Sequence, residues 1–148
     1  MNARLDISKV ASDVFPPLVA LGKTLAASPI PAKTRGLVHL RTSQINGCAA
    51  CIDMEIAKTT ETPQRLAAVA AWRDAPFFSD AERAALALAE AVTRIADVSD
   101  RVPDDVWAEA ARHYDEPQLA WLVVEISTMN LYNRLNVATR QVAGAQRY

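Results

Sequence analysis

The sequence predicts an all-α protein, and three observations support this prediction. Alanine and leucine are abundant while only 4 of the 148 residues are glycine, a composition that favours helices over sheets. Apolar residues recur at helical spacing along most of the chain, and no segment shows the sustained alternation of a half-buried strand. Prolines and capping residues divide these periodic segments. We therefore expect one domain over residues 1–148, built as a bundle of about six to seven helices.

The first helical segment is predicted from Ile7 to Ala27. Pro16 and Pro17 interrupt it, so we expect either a kink or a helix that restarts there. After a Pro-containing break, a second helix is predicted from about Pro31 to Ile45, because proline is well suited to the first turn of a helix.

The second helix should end at Asn46-Gly47, a pair that suits a left-handed C-cap. A helix that contains both cysteines follows, from Cys48 to about Lys58. A short helix is then predicted over residues 63–72, with Thr62 as its N-cap.

Capping signals also locate the remaining helices. Ser79 and Glu82 have the spacing of a capping box, which opens a helix that extends to about Thr93. Pro103 begins the next helix, which should end near His113.

The last and longest helix is predicted from Glu116 to about Arg140. Asp115 and Gln118 form a second capping-box-like start for it. Its apolar spacing predicts a broad buried face made of Ala120, Val123, Val124, Ser127, Leu131 and Leu135.

Composition and charge exclude several classes of function. The formal net charge of -1 argues against an electrostatic grip on nucleic acid or on anionic lipid. No stretch approaches the roughly 18 apolar residues that a membrane span needs. The N-terminal residues contain no apolar signal core, so we expect a cytoplasmic protein.

The two cysteines are the chemically informative residues. Cys48 and Cys51 stand at the start of a predicted helix, where backbone N–H groups and the helix dipole favour a thiolate. Cys48, Cys51 and Glu55 share one helix face. Glu55 could take up a thiol proton or be a solvated helix charge. The pair itself predicts redox chemistry. One alternative is that the two cysteines are simply small buried hydrophobic residues. The other is a zinc site, for which the chain has no second CxxC or His pair to supply the remaining ligands.

The stretch Ser43-Gln44-Ile45-Asn46-Gly47-Cys48-x-x-Cys51-x-x-Met54 resembles the core motif of alkylhydroperoxidase-D-like proteins of the carboxymuconolactone decarboxylase superfamily. The similarity extends over about residues 30–137 and includes Leu37-Val38-x-Leu40-Arg41, Ala71-Trp72-Arg73-x-Ala75-Pro76, Val102-Pro103-Asp104-Asp105 and Asn130-x-x-Asn133-Arg134.

This resemblance implies a peroxiredoxin-like thiol peroxidase that assembles as a homo-oligomer, a trimer or a hexamer. One cysteine reduces a hydroperoxide and becomes a sulfenic acid, the other closes a disulfide, and an external dithiol reduces it again. By the same resemblance Cys51 reacts with the peroxide and Cys48 is its partner. No cofactor or metal is implied.

Two positions depart from the family pattern. Family members carry a histidine four residues after the second cysteine and a glutamate twelve residues before the first; this chain has Glu55 and Gly36 there. His39 is the nearest imidazole and a candidate partial substitute. An ionised Glu55 would repel the thiolate and raise the thiol pKa, so we expect slow peroxidase turnover.

Other functions stay open at this point. The chain could be a catalytically faded member that acts as a thiol redox sensor or a scaffold. A decarboxylase-type small-molecule enzyme of the wider superfamily is disfavoured, because CxxC marks the redox branch. Around the motif, Ser43, Gln44 and Asn46 could either line the thiol pocket or serve only turn formation, whereas Asn130, Asn133 and Arg134 are interpreted as structural or subunit-contact residues.

Overall fold

The computed structural model describes residues 2–145, which form helices joined by turns and contain no strand. The all-α prediction is therefore confirmed over this part of the chain. We number the α-helices in chain order: α1 Ile7–Val10, α2 Phe15–Leu25, α3 Ala32–Ile45, α4 Ala49–Lys58, α5 Pro63–Ala68, α6 Asp80–Thr93, α7 Asp104–His113 and α8 Glu116–Thr139, with a 3-10 helix Val69–Ala71 after α5.

The helix count is higher than predicted because the N-terminal segment is divided. The chain leaves α1 after one turn and restarts at Phe15, which confirms the second of the two alternatives set by Pro16 and Pro17. Both prolines lie in the first turn of α2, where a missing backbone N–H leaves no helical hydrogen bond unmade.

Local capping chemistry begins the two helices that frame the core. Ser79 and Glu82 form the predicted capping box of α6, and Asp115 and Gln118 form that of α8. A side-chain cap of this kind contributes about 1 kcal/mol to stability. Both predicted helix starts are thus confirmed. They could be predicted because the residues that form each capping box lie within a few positions of each other in the sequence.

Helix α3 lies at the centre of the bundle and packs against α4, α6 and α8. Its two sides bury different clusters. One cluster joins α3 to α6, α7 and α8 and contains Val38, Leu88, Ala110, Leu122 and Ile126, and the other contains Leu37, Leu40, Trp72, Phe78 and Leu86.

No helix within residues 2–145 is both long and apolar enough to cross a membrane.

The predicted buried face of α8 was wrong. Val124 and Leu131 are 44% and 39% exposed, and Ala120 and Ser127 are exposed as well. The residues of α8 that point inward include three polar ones, Glu125, Asn130 and Asn133, which find partners on other helices. An apolarity pattern cannot anticipate these partners, so it assigned the wrong face to the core.

Candidate active site

The cysteine turn is built by a left-handed glycine. Helix α3 ends at Ile45, Asn46 caps it, and Gly47 adopts a φ of 65°, a conformation that glycine reaches without steric cost. Cys48 is then the N-cap of α4, and its Sγ accepts a hydrogen bond from the Cys51 amide at 3.3 Å. The turn and the cap therefore bring the two sulfurs to the same helix end.

Cys48 and Cys51 are joined as a disulfide, with their Cα atoms 5.3 Å apart. Both residues are buried and pack against Met129 of α8. The Asn136 side-chain amide donates a hydrogen bond to Cys51 Sγ at 3.3 Å. Once the disulfide is reduced, this donor and the start of α4 favour a thiolate at Cys51, because both direct partial positive charge at its sulfur.

A row of charged groups lies beside the disulfide. Glu55 is one turn beyond Cys51, and its Oε2 lies 3.6 Å from His39 Nδ1 of α3. On its other side, His39 Nε2 lies 2.7 Å from Oε2 of the fully buried Glu125 of α8. Arg35 Nη1 lies 3.6 Å from the second oxygen of Glu125. Positive and negative groups thus alternate along the row from Arg35 through Glu125 and His39 to Glu55.

These contacts fix the charge states of the central pair. Burial opposes a charge on His39, but the hydrogen bonds with Glu125 and Glu55 outweigh it and raise the pKa of His39 to about 9. Burial alone would raise the pKa of Glu55, whereas the hydrogen bond and charge of His39 leave that pKa below its ordinary value. At neutral pH the two side chains therefore form an imidazolium–carboxylate pair.

The two cysteines open onto different cavities. Cys51 and Glu55 line a cavity of about 930 Å³ whose other walls include Phe15, Leu18, Met54, Met129 and Leu135. Cys48 lines a smaller cavity of about 440 Å³ together with Gly47, Ala49, Val137 and Arg140. Among the described residues, only Asn136 and Gln141 line both cavities.

The polar residues of the motif tie α3 to α8. Asn46 Nδ2 donates to Oδ1 of both Asn130 and Asn133 at 2.9 Å, and Asn133 Nδ2 donates to Ser43 Oγ at 3.0 Å. Gln44 accepts a hydrogen bond from Arg41 instead. Asn46 therefore does more than form the turn, since it fixes the end of α3, and with it the cysteine turn, against α8.

The structure places the three predicted site residues along the first two turns of α4: Cys48 is its N-cap, Cys51 lies in the first turn and Glu55 one turn further on. Gly36 has no side chain to offer, but His39, one turn further along α3, reaches Glu55. Among residues 2–145, no group of three or more His, Cys, Asp and Glu side chains is placed to hold a metal ion.

Sequence reasoning missed Glu125 and Asn136. A signal for Asn136 was present, because Asn130, Asn133 and Asn136 recur every third residue and so stay close to one helix face. Glu125 could have been noticed as a single charge within the apolar middle of α8. Neither signal shows which residue of another helix the side chain meets.

The site thus consists of a Cys-x-x-Cys disulfide at the start of one helix of the bundle and an imidazolium–carboxylate pair beside it, an arrangement compatible with thiol–disulfide chemistry. The sequence profile of the carboxymuconolactone decarboxylase family matches residues 13–91. The uncharacterized protein YdfG of Bacillus subtilis is 38% identical over 141 residues, which cover 93% of this chain and 95% of YdfG. The chain belongs to the carboxymuconolactone decarboxylase family.

Solved structures share the fold. A protein of unknown function from Agrobacterium tumefaciens, suggested to be the antioxidant defence protein AhpD, superposes with a TM-score of 0.92 and 28% identity over 98% of this chain and 100% of its own. The debrominase Bmp8 superposes with a TM-score of 0.77 and 23% identity, over 91% of this chain and 73% of Bmp8. The likeness to Bmp8 is one of fold alone. The resemblance to alkylhydroperoxidase-D-like proteins is confirmed by the family match and by the Agrobacterium structure.

Proposed function

We propose that the protein is a dithiol peroxidase that reduces hydroperoxides with Cys51. One observation carries this proposal: Cys51 and Glu55, the latter paired with His39, share the wall of the larger cavity. A thiol, a proton-transferring carboxylate and a space for substrate are thereby adjacent. Family membership and the antioxidant role suggested for the Agrobacterium protein support the same class of reaction.

The first step transfers one oxygen atom to sulfur. Glu55 takes the proton of the Cys51 thiol only transiently, because His39 holds the pKa of Glu55 low, and the thiolate attacks one peroxide oxygen. The O–O bond breaks as the S–O bond forms, and Glu55 returns the proton to the departing alkoxide. The products are an alcohol and Cys51 sulfenic acid, and Glu55 is again a carboxylate.

The second step uses the neighbouring cysteine. The Cys48 sulfur attacks the Cys51 sulfur, the S–O bond breaks, and hydroxide leaves as water with the Cys48 proton. An external dithiol then reduces the disulfide by two exchange steps and is itself oxidised to a disulfide. Because such a reductant is supplied in a reducing compartment, we place this cycle in the cytoplasm.

The imidazole–carboxylate pair replaces the relay that the family resemblance implies. That relay has a carboxylate on the helix before the cysteines and an imidazole after them, whereas here α3 provides His39 and α4 provides Glu55. The two kinds of group are thus retained with their helices exchanged. The positive charge of His39 compensates the negative charge of Glu55. This compensation reduces the repulsion that an isolated glutamate would exert on the thiolate.

A thiol redox sensor is the second candidate, because Cys48 and Cys51 are only 2% and 3% exposed. A sensor is oxidised once and stays a disulfide until a partner protein reduces it. A peroxidase, in contrast, consumes peroxide over many cycles when a small dithiol reduces its disulfide. Steady consumption of tert-butyl hydroperoxide or hydrogen peroxide in the presence of dithiothreitol separates these functions.

The test compares wild type with Cys51→Ser, Cys48→Ser and the double variant. Since the chain has only 2 cysteines, mass spectrometry after alkylation reports their state directly. We expect peroxide to remove both alkylatable thiols and dithiothreitol to restore them over repeated cycles. Wild-type turnover no faster than that of the double variant would overturn the peroxidase proposal.

We also propose that the protein is a homo-oligomer, as the family resemblance implies. The support in this chain is the outward face of α8, where Ala120, Val124, Ser127 and Leu131 recur at helical spacing and are exposed. A second copy would cover the apolar members of this stripe.

A further inference from the structure

Glu125 is a fully buried carboxylate with no direct place in the chemistry described above. It projects from α8 toward α3, and its closest polar contact is the 2.7 Å contact with His39 Nε2. We propose that Glu125 is a positioning residue of this site: it holds His39 in its charged form against Glu55, and thereby keeps the Cys51 thiol ready to ionise. This inference rests on the proposed function.

The burial of Glu125 is the first argument. A buried carboxylate is strongly unfavourable unless a cation or hydrogen-bond donors compensate its charge. Within residues 2–145, no hydrogen bond reaches Glu125 Oε1, and Arg35 Nη1 lies 3.6 Å from it. His39 is therefore the group that donates directly to Glu125, and this donation is strongest when the imidazole is protonated.

The geometry of His39 supports the same role. Its two ring nitrogens face two different carboxylates, Glu125 on Nε2 and Glu55 on Nδ1. A neutral imidazole carries a hydrogen on only one nitrogen, so it could donate to only one of them. The position of His39, 2.7 Å from one carboxylate and 3.6 Å from the other, therefore matches the imidazolium, which donates to Glu125 and attracts Glu55 by its charge.

The charges around His39 come from three helices. Arg35 lies on α3 with His39 itself, Glu55 and Lys58 are on α4, and Glu125 is on α8. If His39 lost its proton, Glu55 would remain as a carboxylate next to the sulfur of Cys51 without its nearest cation. The thiolate would then be less stable, and the thiol would ionise at a higher pH.

The first experiment measures the histidine directly. The chain has 2 histidines, so NMR of the imidazole Cε1–H signals gives two titrations, which His39→Gln assigns. We expect His39 to titrate near pH 9 in wild type. Glu125→Gln should lower that midpoint by about one unit or more, because it removes the closer carboxylate.

The protein contains a matched control. His113 Nε2 lies 3.2 Å from Glu109 Oε1 on α7, a histidine–carboxylate contact at the surface. Glu109→Gln makes the same chemical change there and should leave the His39 titration unmoved. A wild-type His39 that titrates near its ordinary value of about 6.5 would overturn the inference. So would an equal midpoint in wild type and Glu125→Gln.

The second experiment follows the thiol without peroxide. In a Cys48→Ser background, the pH dependence of alkylation by iodoacetamide gives the midpoint for ionisation of Cys51. Loss of the negative charge of Glu125 alone would lower the Cys51 midpoint, whereas loss of the His39 proton would raise it. We expect Glu125→Gln to raise it by about one unit, and to add no further increase when His39 is already Gln.

The direction in which Glu125→Gln shifts the Cys51 midpoint tests the inference. A lowered or unchanged midpoint in Glu125→Gln would contradict the inference. Alkylation needs no peroxide, so a failure of the peroxidase proposal leaves this readout intact, and the two can fail separately. If Glu125→Gln does not fold, Glu125→Asp is the second variant: its shorter side chain withdraws the carboxylate from His39 Nε2, so it should also lower the His39 midpoint, and an unchanged midpoint would contradict the inference.

Discussion

His39 Nδ1 and Glu55 Oε2 lie 3.6 Å apart, so that a side chain of α3 neutralises the charge that α4 places beside the disulfide. The sequence alone presented Glu55 as a charge that would repel the thiolate. The structure makes it half of an ion pair whose other half is bound to a buried carboxylate. The effect of Glu55 on Cys51 therefore depends on a residue 16 positions earlier in the chain.

The chemistry of position 55 gives the first prediction. Glu55→Gln cannot accept or return a proton, and we expect it to slow peroxide consumption by about a hundredfold, within the usual range for general acid–base catalysis. Glu55→His retains a proton acceptor and removes the negative charge, so it should consume peroxide faster than wild type at neutral pH. Glu109→Gln, which removes a surface carboxylate, should match wild type. Unchanged or slower turnover of Glu55→His would contradict this account.

Asn136 gives a prediction on thiol acidity. Its amide donates to Cys51 Sγ at 3.3 Å, and a hydrogen bond to a charged group contributes about 1.5–3 kcal/mol. Asn136→Ala should therefore raise the midpoint of Cys51 ionisation by about one unit or more, measured by alkylation in a Cys48→Ser background. Val137→Ala, at the next and exposed position, is the control. Equal midpoints for the two variants would show that the amide has no effect on the thiol.

The pKa of His39 predicts how stability depends on pH. In the folded protein that pKa is about 9, against an ordinary value of 6.5, so the folded state binds an extra proton between these values. The resulting stabilisation is complete below pH 6.5 and is lost as the pH rises through 9. Urea unfolding of the oxidised protein should show this loss.

His39→Gln is the control for the pH dependence. It cannot bind the extra proton, so its free energy of unfolding should fall much less over the same interval. A wild-type protein whose stability is flat from pH 6.5 to 9, or a variant with the same decline as wild type, would exclude His39 as the cause.

Two glycines provide a comparison within the motif region. Gly47 has a φ of 65°, and an added Cβ would meet no atom within 4 Å, so Gly47→Ala isolates the backbone cost. We expect a loss of about 1–2 kcal/mol in the free energy of unfolding. Gly36 lies within α3 and also has free space, so Gly36→Ala should stabilise by about 0.5–1 kcal/mol. Chemical denaturation of both variants measures these changes. Equal effects of the two substitutions on the free energy of unfolding would contradict the prediction.

The outward face of α8 predicts self-association. Light scattering should give the mass of a trimer or hexamer for wild type, and Val124→Arg together with Leu131→Arg should lower it, because charges on this stripe cannot be buried between copies. Val10→Arg, at a position that is 75% exposed on α1, should leave the mass unchanged. A monomeric wild type would overturn the prediction.

The predictable parts of this molecule are those encoded locally. The capping boxes at Ser79 and Asp115 involve residues three apart, and Cys48, Cys51 and Glu55 share one helix, so their arrangement follows from helical geometry.

The parts that could not be predicted depend on contacts between distant segments. His39 and Glu125 are separated by 86 positions, and their contact exists only because α3 packs on α8. The inward face of α8 was misassigned for the same reason, since its buried polar side chains are stabilised by partners that no periodicity reveals.

The separate cavities of Cys48 and Cys51 have a kinetic consequence. If oxidant reaches Cys51 through the larger cavity and reductant reaches Cys48 through the smaller one, the two substrates do not compete for the same space. Initial-rate plots would then show the parallel lines of a ping-pong reaction without mutual substrate inhibition at high concentration. The cysteine pair would then accept electrons from the dithiol while it is a disulfide, at Cys48, and would deliver them to peroxide once it is reduced, at Cys51.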